Sequence, residues 1–157
     1  MIYIGIDPGK NGSIAQLDEY GEYMKVEKVP TIKLKKTEYD IPEMKNRLLE
    51  INEERSFCVI EKAQGMPKQG ITSTFSIGKG YGLWLGLLCA VGIPYVEIHP
   101  IVWSKALLKG AGGEGKERNY QKARQLFPQW QPKLKKEREY ADSLLLAEYG
   151  RRIHGNL

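Results

Sequence analysis

Ile2-Tyr3-Ile4-Gly5-Ile6 carries apolar residues on both parities, the pattern of a strand buried on both faces. Asp7 closes it, and Pro8-Gly9-Lys10-Asn11-Gly12 is a turn cluster. Ser13 to Leu17 and Glu22 to Val29 read as two further strands around a Tyr20-Gly21 turn, together a meander. Residues 31–37 form a polar, Lys-rich connector. A helix opens at Ile41-Pro42-Glu43, with Asp40 as N-cap and Pro42 in the first turn. Met44, Leu48, Leu49 and Ile51 give it an apolar face. Phe57 to Glu61 is a short buried strand, followed by a Gly/Pro/Gln loop over 62–71.

Thr74 to Val91 is a long helix whose second half, from Tyr81 to Leu88, is apolar all round and so is expected to be buried on more than one side. Pro94 to Ile98 is the next strand and Pro100 to Leu108 a short helix. A glycine loop spans Gly110 to Gly115, and a basic helix spans Lys116 to Phe127. After a turn over 128–132, the last helix runs from Glu137 to Ile153. This order predicts an α/β fold, a mixed sheet of about five strands flanked by α-helices, in one domain over residues 1–157.

Composition narrows the class. Hydrophobic residues are 41% and charged residues 27%, which excludes wholesale disorder and a collagen-like repeat. No basic-then-apolar leader is expected, because Asp7 arrives early. The longest uncharged apolar run, residues 81–96, is broken by Gly82, Gly86, Gly92 and Pro94, and falls short of the roughly 20 residues of a membrane span. Cys58 and Cys89 both lie in apolar runs without ligand spacing. They are expected to be buried free thiols of a cytoplasmic protein. The net charge is +5, but it is one-sided. Residues 1–100 hold 12 Lys and Arg against 13 Asp and Glu, whereas residues 101–157 hold 12 against 6. A basic last third suits a polyanionic partner.

Two carboxylates stand where chemistry is placed in open α/β sheets. Asp7 and Glu61 each close an apolar strand just before a loop, so both emerge at the carboxyl edge of the sheet. Glu139 and Asp142 lie three apart on the last helix and share one face. That helix must pack on the sheet through Ala141, Leu144, Leu145 and Ala147. Four converging carboxylates repel one another, and divalent cations relieve that cost. Two such ions can activate a water and stabilise the leaving oxygen in phosphodiester cleavage.

These residues carry a resemblance. Ile4-Gly5-Ile6-Asp7-Pro8-Gly9 resembles the opening strand of the RuvC-like Holliday junction resolvases, of the RNase H-like superfamily. Val59-Ile60-Glu61 resembles that family's second acidic strand end, and Glu139-x-x-Asp142-Ser143-Leu144 its C-terminal acidic helix. Order, spacing and length agree over essentially the whole chain. The resemblance implies an RNase H-like, RuvC-type sheet and a crossover junction endodeoxyribonuclease acting on branched DNA. It implies Mg²⁺, with Mn²⁺ substituting, as two ions per site held by Asp7, Glu61, Glu139 and Asp142. Glu139 stands where the family usually has Asp. Lys116 and Lys105 match the lysines that the family carries near the scissile phosphate, Lys116 being the better placed. The loop from Lys62 to Gln69 lacks the aromatic of cellular members and resembles phage-type ones, which implies a bacterial host cytoplasm. Two readings compete: an RNase H-like nuclease of forks or structured RNA (the YqgF-like group shares the fold), and a non-catalytic nucleic-acid-binding module, against which the intact acidic set argues.

Other features compete. Gly110 to Lys116 matches G-x-G-x-x-G and most of a P-loop, but a helix rather than a strand precedes it and Glu117 replaces the needed hydroxyl. No nucleotide cofactor is expected, and the loop is read as substrate-facing. His99 reads as a connector, and Trp84, Trp103 and Trp130 as packing, with Trp103 beside Lys105 a lesser candidate for DNA contact. Gly78, Gly82 and Gly86 let a helix lie close to its own sheet or to a partner helix. One sheet cannot cover Leu83, Trp84, Leu85 and Leu87 together, so a symmetric dimer is expected.

Overall fold

The computed structural model describes residues 1–52 and 55–154; residues 53–54 and 155–157 of the expected domain lie outside the described residues. In chain order the elements are β1 (Ile2–Ile6), β2 (Ser13–Leu17), β3 (Tyr23–Lys28), β4 (Thr31–Lys33), β5 (Thr37–Tyr39), α1 (Ile41–Ile51), β6 (Ser56–Glu61), α2 (Ile71–Val91), β7 (Tyr95–Ile98), α3 (Pro100–Leu107), α4 (Gly115–Leu126), a 3₁₀ helix (Lys135–Tyr140) and α5 (Ala141–His154).

Five strands make one mixed sheet in the order β3-β2-β1-β6-β7. The meander is antiparallel, whereas β1, β6 and β7 run parallel. The two-faced apolar pattern of β1 has its explanation in two cores. Ile2, Ile4 and Ile6 pack with Met44 and Leu48 of α1 and Trp84 and Leu88 of α2. Tyr3, Val59 and Phe57 pack on the other face with Trp103, Phe127 and the Leu144–Ala147 stretch. The result is three layers: α1 and α2, the sheet, then α3, α4 and α5. Asp40 caps α1 as its side chain accepts from the Glu43 N–H at 3.1 Å.

One close approach decides where α5 lies. A Cβ on Gly5 would stand 1.9 Å from the Ser143 carbonyl oxygen and 2.5 Å from the Ala147 nitrogen. Both obstacles are backbone and cannot rotate away. Gly5→Ala is therefore expected to cost about 3 kcal/mol in a urea melt. It should also push the start of α5 off the sheet.

Four sequence expectations are corrected. The connector over 31–37 is partly a small hairpin, β4 with β5. The last helix does not begin at Glu137: the charged stretch Lys135–Tyr140 has no apolar face to lay down and winds as a 3₁₀ turn before α5 starts at Ala141. Cys89 is exposed, while Cys58 is buried as expected. Most of all, α2 is not covered on several sides. Only Gly80, Trp84 and Leu88, spaced four apart, are buried. A side chain at Gly78, Gly82 or Gly86 would meet nothing within 4 Å, and Phe75 is 73% exposed. By length and composition alone α2 is long and apolar enough to cross a membrane. Its Trp84 stripe is nonetheless locked into the core beneath the sheet.

Candidate active site

Three carboxylates reach the carboxyl edge of the sheet from separate segments. Asp7 follows β1 directly, its N–H donating to the Ser13 carbonyl at 3.0 Å. Glu61 ends β6. The parallel register sets Ile6 against Ile60, so the next residues, Asp7 and Glu61, are neighbours. Asp142 lies in the first turn of α5, which Gly5 admits to the sheet. A buried hydrogen bond of 2.6 Å between the Ser13 and Ser143 hydroxyls ties that turn to β2.

The electrostatics follow from this convergence. Burial raises the Asp7 carboxyl to about 6, and the neighbouring Asp142 and Glu139 charges add to the rise. Burial likewise raises Glu61 to about 7, helped by Asp7 and Asp142 and opposed by a hydrogen bond from Trp103. Asp142 is raised too, chiefly by burial, while a hydrogen bond from Asn119 and the charge of Lys116 oppose the rise. The site is thus an assembly of acids that are costly to ionise together.

Stability should respond to pH accordingly. Acids raised in the folded state make it bind more protons than the unfolded chain between about pH 4 and 7, so stability falls as pH rises through that window. In chelator, the melting temperature is expected to drop from pH 5 to 7.5, and Asp7→Asn to flatten the slope. Glu148, held below its usual range by Arg151 and Arg152 despite its burial, acts oppositely and only at lower pH. Melts followed by circular dichroism check this.

Glu139 differs from the other three. It lies in the 3₁₀ turn, not on α5, and is half exposed. It still lies near enough to Asp142 for its charge to raise that carboxyl. Its carboxylate pairs with the Lys116 ammonium at 3.2 Å. Lys116 sits in the first turn of α4, just past the glycine loop. Lys105 is exposed two residues after the buried Trp103, on the other side of α3, and lines neither cleft that holds Asp7. The structure therefore brings Lys116 to the carboxylates and does not bring Lys105.

Two clefts meet at Asp7. One, about 530 Å³, is bounded by Asp7, Lys10, Tyr39, Ser76, Lys116 and Glu139. The other, about 300 Å³, includes Asp7, Glu61, Gln64 and Pro100. Lys116 and Glu139 also border a third cleft of about 500 Å³, lined by Tyr120, Lys135, Lys136 and Arg138. A basic trough thus adjoins the acidic mouth. Among the described residues no group of three or more His, Cys, Asp or Glu side chains is arranged to hold a metal ion. The donor set is instead a few hard carboxylate oxygens at an open mouth. That fits Mg²⁺, which takes one or two carboxylates and completes its shell with water and phosphate.

Two polar partners of the carboxylates emerge only with the tertiary structure. The Trp103 indole N–H donates to Glu61 Oε2 at 2.7 Å, and the Asn119 amide donates to Asp142 Oδ1 at 2.7 Å. Asn119 follows Lys116 by three on α4, so the shared helix face was a signal for it. Trp103 had none, since its partner lies 42 positions away. His99 is a cap, its ring accepting from the Ile101 N–H at 3.2 Å.

Parallel β1, β6 and β7 with an antiparallel meander, acidic strand ends and a C-terminal acidic helix across the sheet define the RNase H-like fold in its RuvC form. The solved structures agree. The chain matches Thermus thermophilus RuvC in complex with a Holliday junction substrate with a TM-score of 0.69 at 19% identity, covering 99% of this chain and 96% of that one. It matches another Thermus thermophilus RuvC structure with a TM-score of 0.65 at 18% identity, over 99% and 97%. No family model and no curated protein matches the sequence. α3, not a strand, precedes the glycine loop, so the context of a nucleotide-binding loop is missing.

Proposed function

We propose that this chain is a divalent-metal-dependent endonuclease of branched DNA that resolves Holliday junctions by paired nicks as a homodimer. The observation that carries the reading is that Asp7, Glu61 and Asp142, from three distant segments, lie close enough to raise one another's carboxyls, with Lys116 near enough to oppose that rise. Asp7 and Glu61, raised toward neutrality by burial and by neighbouring acids, suit a cation-assisted reaction on phosphate. The RuvC that shares the fold was solved with a Holliday junction substrate, which supports the choice of DNA.

In this reading Asp7, Glu61 and Asp142 hold Mg²⁺ or Mn²⁺, two ions per site, with Glu139 as the variable fourth ligand. When bound, the ions activate water and stabilise the departing oxygen. The chain's own residues do the rest. Lys116 gives its ammonium to the phosphate as negative charge builds. The amino end of α4, where it sits, favours the same anion. Lys135, Lys136 and Arg138 carry the strand alongside, each phosphate contact adding about one to the salt slope of binding. Lys105 is left to distant DNA contacts. The whole of residues 1–157 acts as one domain in the cytoplasm.

The dimer rests on the open face of α2. Gly78, Gly82 and Gly86 line a bare strip on which a second copy of the helix can lie closely. A two-fold axis there sets two sites against opposite strands of a four-way junction. Trp84 is a core residue of the chain itself, so a charge there breaks the fold and not the dimer. Gly82→Arg or Gly86→Arg is the sound test. Either is expected to turn a dimer into a monomer by light scattering, and paired nicks into single ones. A wild-type monomer at micromolar concentration sinks the dimer.

The deciding experiment is a cleavage assay on a four-way junction, a fork, a duplex, a structured RNA and an RNA–DNA hybrid, with and without Mg²⁺. Mg²⁺-dependent cuts confined to the junction support the proposal. Cuts confined to forks or RNA move the substrate elsewhere within the fold, and binding without cutting in any arm defeats the enzyme.

A further inference from the structure

Trp103 and Asn119 lie on α3 and α4, the two helices joined by the glycine loop. Each reaches a different carboxylate of the site, at 2.7 Å. Lys116 of the same segment reaches a third, Glu139. One stretch of chain therefore touches three of the four acids.

Packing alone does not require this. Trp103 is 2% exposed, inside the core between the sheet and α5. Phenylalanine would supply most of that apolar surface without a polar hydrogen. Nor does this fold insist that every buried indole find an acceptor: the Trp84 Nε1 has none among the described residues. The Trp103 N–H is nevertheless aimed at one oxygen of Glu61. An indole N–H only donates, so it can hold a carboxylate oxygen but cannot be replaced in that role by a group that has switched to accepting. When Glu61 is ionised this bond is charge-assisted, and at 2.7 Å it fixes the carboxylate rotamer.

We propose that Trp103 and Asn119 are positioning residues, each holding one oxygen of Glu61 or Asp142 so that the other oxygen is presented to a divalent cation. This rests on the reading of those carboxylates as metal ligands. Outer partners that orient ligating groups are typically worth about ten- to a hundred-fold in metal affinity. The arrangement also ties the order of the acids to the placement of α3 and α4. The basic helix α4, with Lys116 at its start, is thereby linked to the carboxylates it serves.

The test uses the full chain labelled with ¹⁵N at its three tryptophan indoles. The resonance that disappears in Trp103→Phe identifies Trp103. In the wild type that resonance is expected downfield, to move in Glu61→Gln, and to move saturably as Mg²⁺ is added, while the other two stay still. Trp103→Phe and Asn119→Ala are each expected to weaken Mn²⁺ binding, read by electron paramagnetic resonance, by about ten-fold or more. Both should keep the wild-type circular dichroism and junction affinity, with the loss falling on kcat and not on KM. A Trp103 resonance indifferent to both Glu61→Gln and Mg²⁺ overturns the proposal, and this holds even if Trp103→Phe fails to fold, because Trp84→Phe and Trp130→Phe then assign the spectrum by elimination. Unchanged Mn²⁺ affinity in both folded variants also overturns it. If the wild type cuts no DNA yet the Trp103 resonance follows Mg²⁺, the positioning stands and only the nuclease reading fails.

Discussion

Asp7→Asn is expected to lower junction cleavage by about 10²- to 10³-fold while leaving junction binding intact, the scale on which an active site feels the loss of one preorganised polar group. The amide keeps the size of the carboxylate and its place after β1. It removes the negative charge that raises the neighbouring Glu61 carboxyl and that the proposed cation would need. Affinity for DNA comes mostly from Lys and Arg on phosphates, and Asp7 contributes repulsion instead. Binding by the variant should equal or exceed that of the wild type. Glu61→Gln is expected to behave likewise, being the neighbour across the β1–β6 register. Single-turnover cleavage and a gel-shift titration in Ca²⁺ separate the two effects. Near wild-type cleavage by Asp7→Asn defeats the site assignment.

Lys116→Ala is expected to lower the single-turnover rate at saturating junction by about 10²-fold, while the affinity weakens only by the share of a single lysine–phosphate interaction. In the proposed reading the ammonium interacts more strongly with the charge that develops on the phosphate than with the ground state, so the rate is expected to feel it more than the affinity does. Its ion pair with Glu139 is exposed and contributes little to stability, so the fold should not move. The same pair orders the acids. Glu139 is half exposed and shared with a lysine, whereas Asp142 is partly buried and held by Asn119. Glu139→Gln is therefore expected to hurt less than Asp142→Asn. Lys135→Ala and Lys136→Ala should show the opposite profile, with weaker binding, a shallower salt slope and an unchanged rate at saturation. An unchanged rate for Lys116→Ala reduces it to a surface lysine.

The charge asymmetry along the chain has a structural counterpart. The basic last third folds into α4 and the 3₁₀ turn, and these line the trough that adjoins the acidic mouth. Charge was legible in the residues because it sums along the chain. Its position against the carboxylates was not, because that needs α4 and the 3₁₀ turn to lie side by side.

Local pattern was enough where the determinants are local. The doubled apolar parity of Ile2–Ile6 requires a strand covered on both faces, and Asp7 and Glu61 at strand ends place two acids at the sheet's carboxyl edge. Asp40 and Pro42 start α1 through contacts within one turn. Tertiary structure decided what depends on distant partners. Gly5 is a plain strand residue until the Ser143 carbonyl is laid against it, and only then does it bring Asp142 to Asp7. Glu139 and Asp142 looked like one helix face, but the absence of an apolar stripe before Ala141 left Glu139 in a 3₁₀ turn with Lys116. The apolar run of α2 could not reveal that only its Trp84 stripe is covered, because burial is set by neighbours and not by hydropathy. Lys105 and Trp103 are two residues apart, and a helix turns such residues to opposite sides; which of them faces Glu61 was decided by how α3 packs.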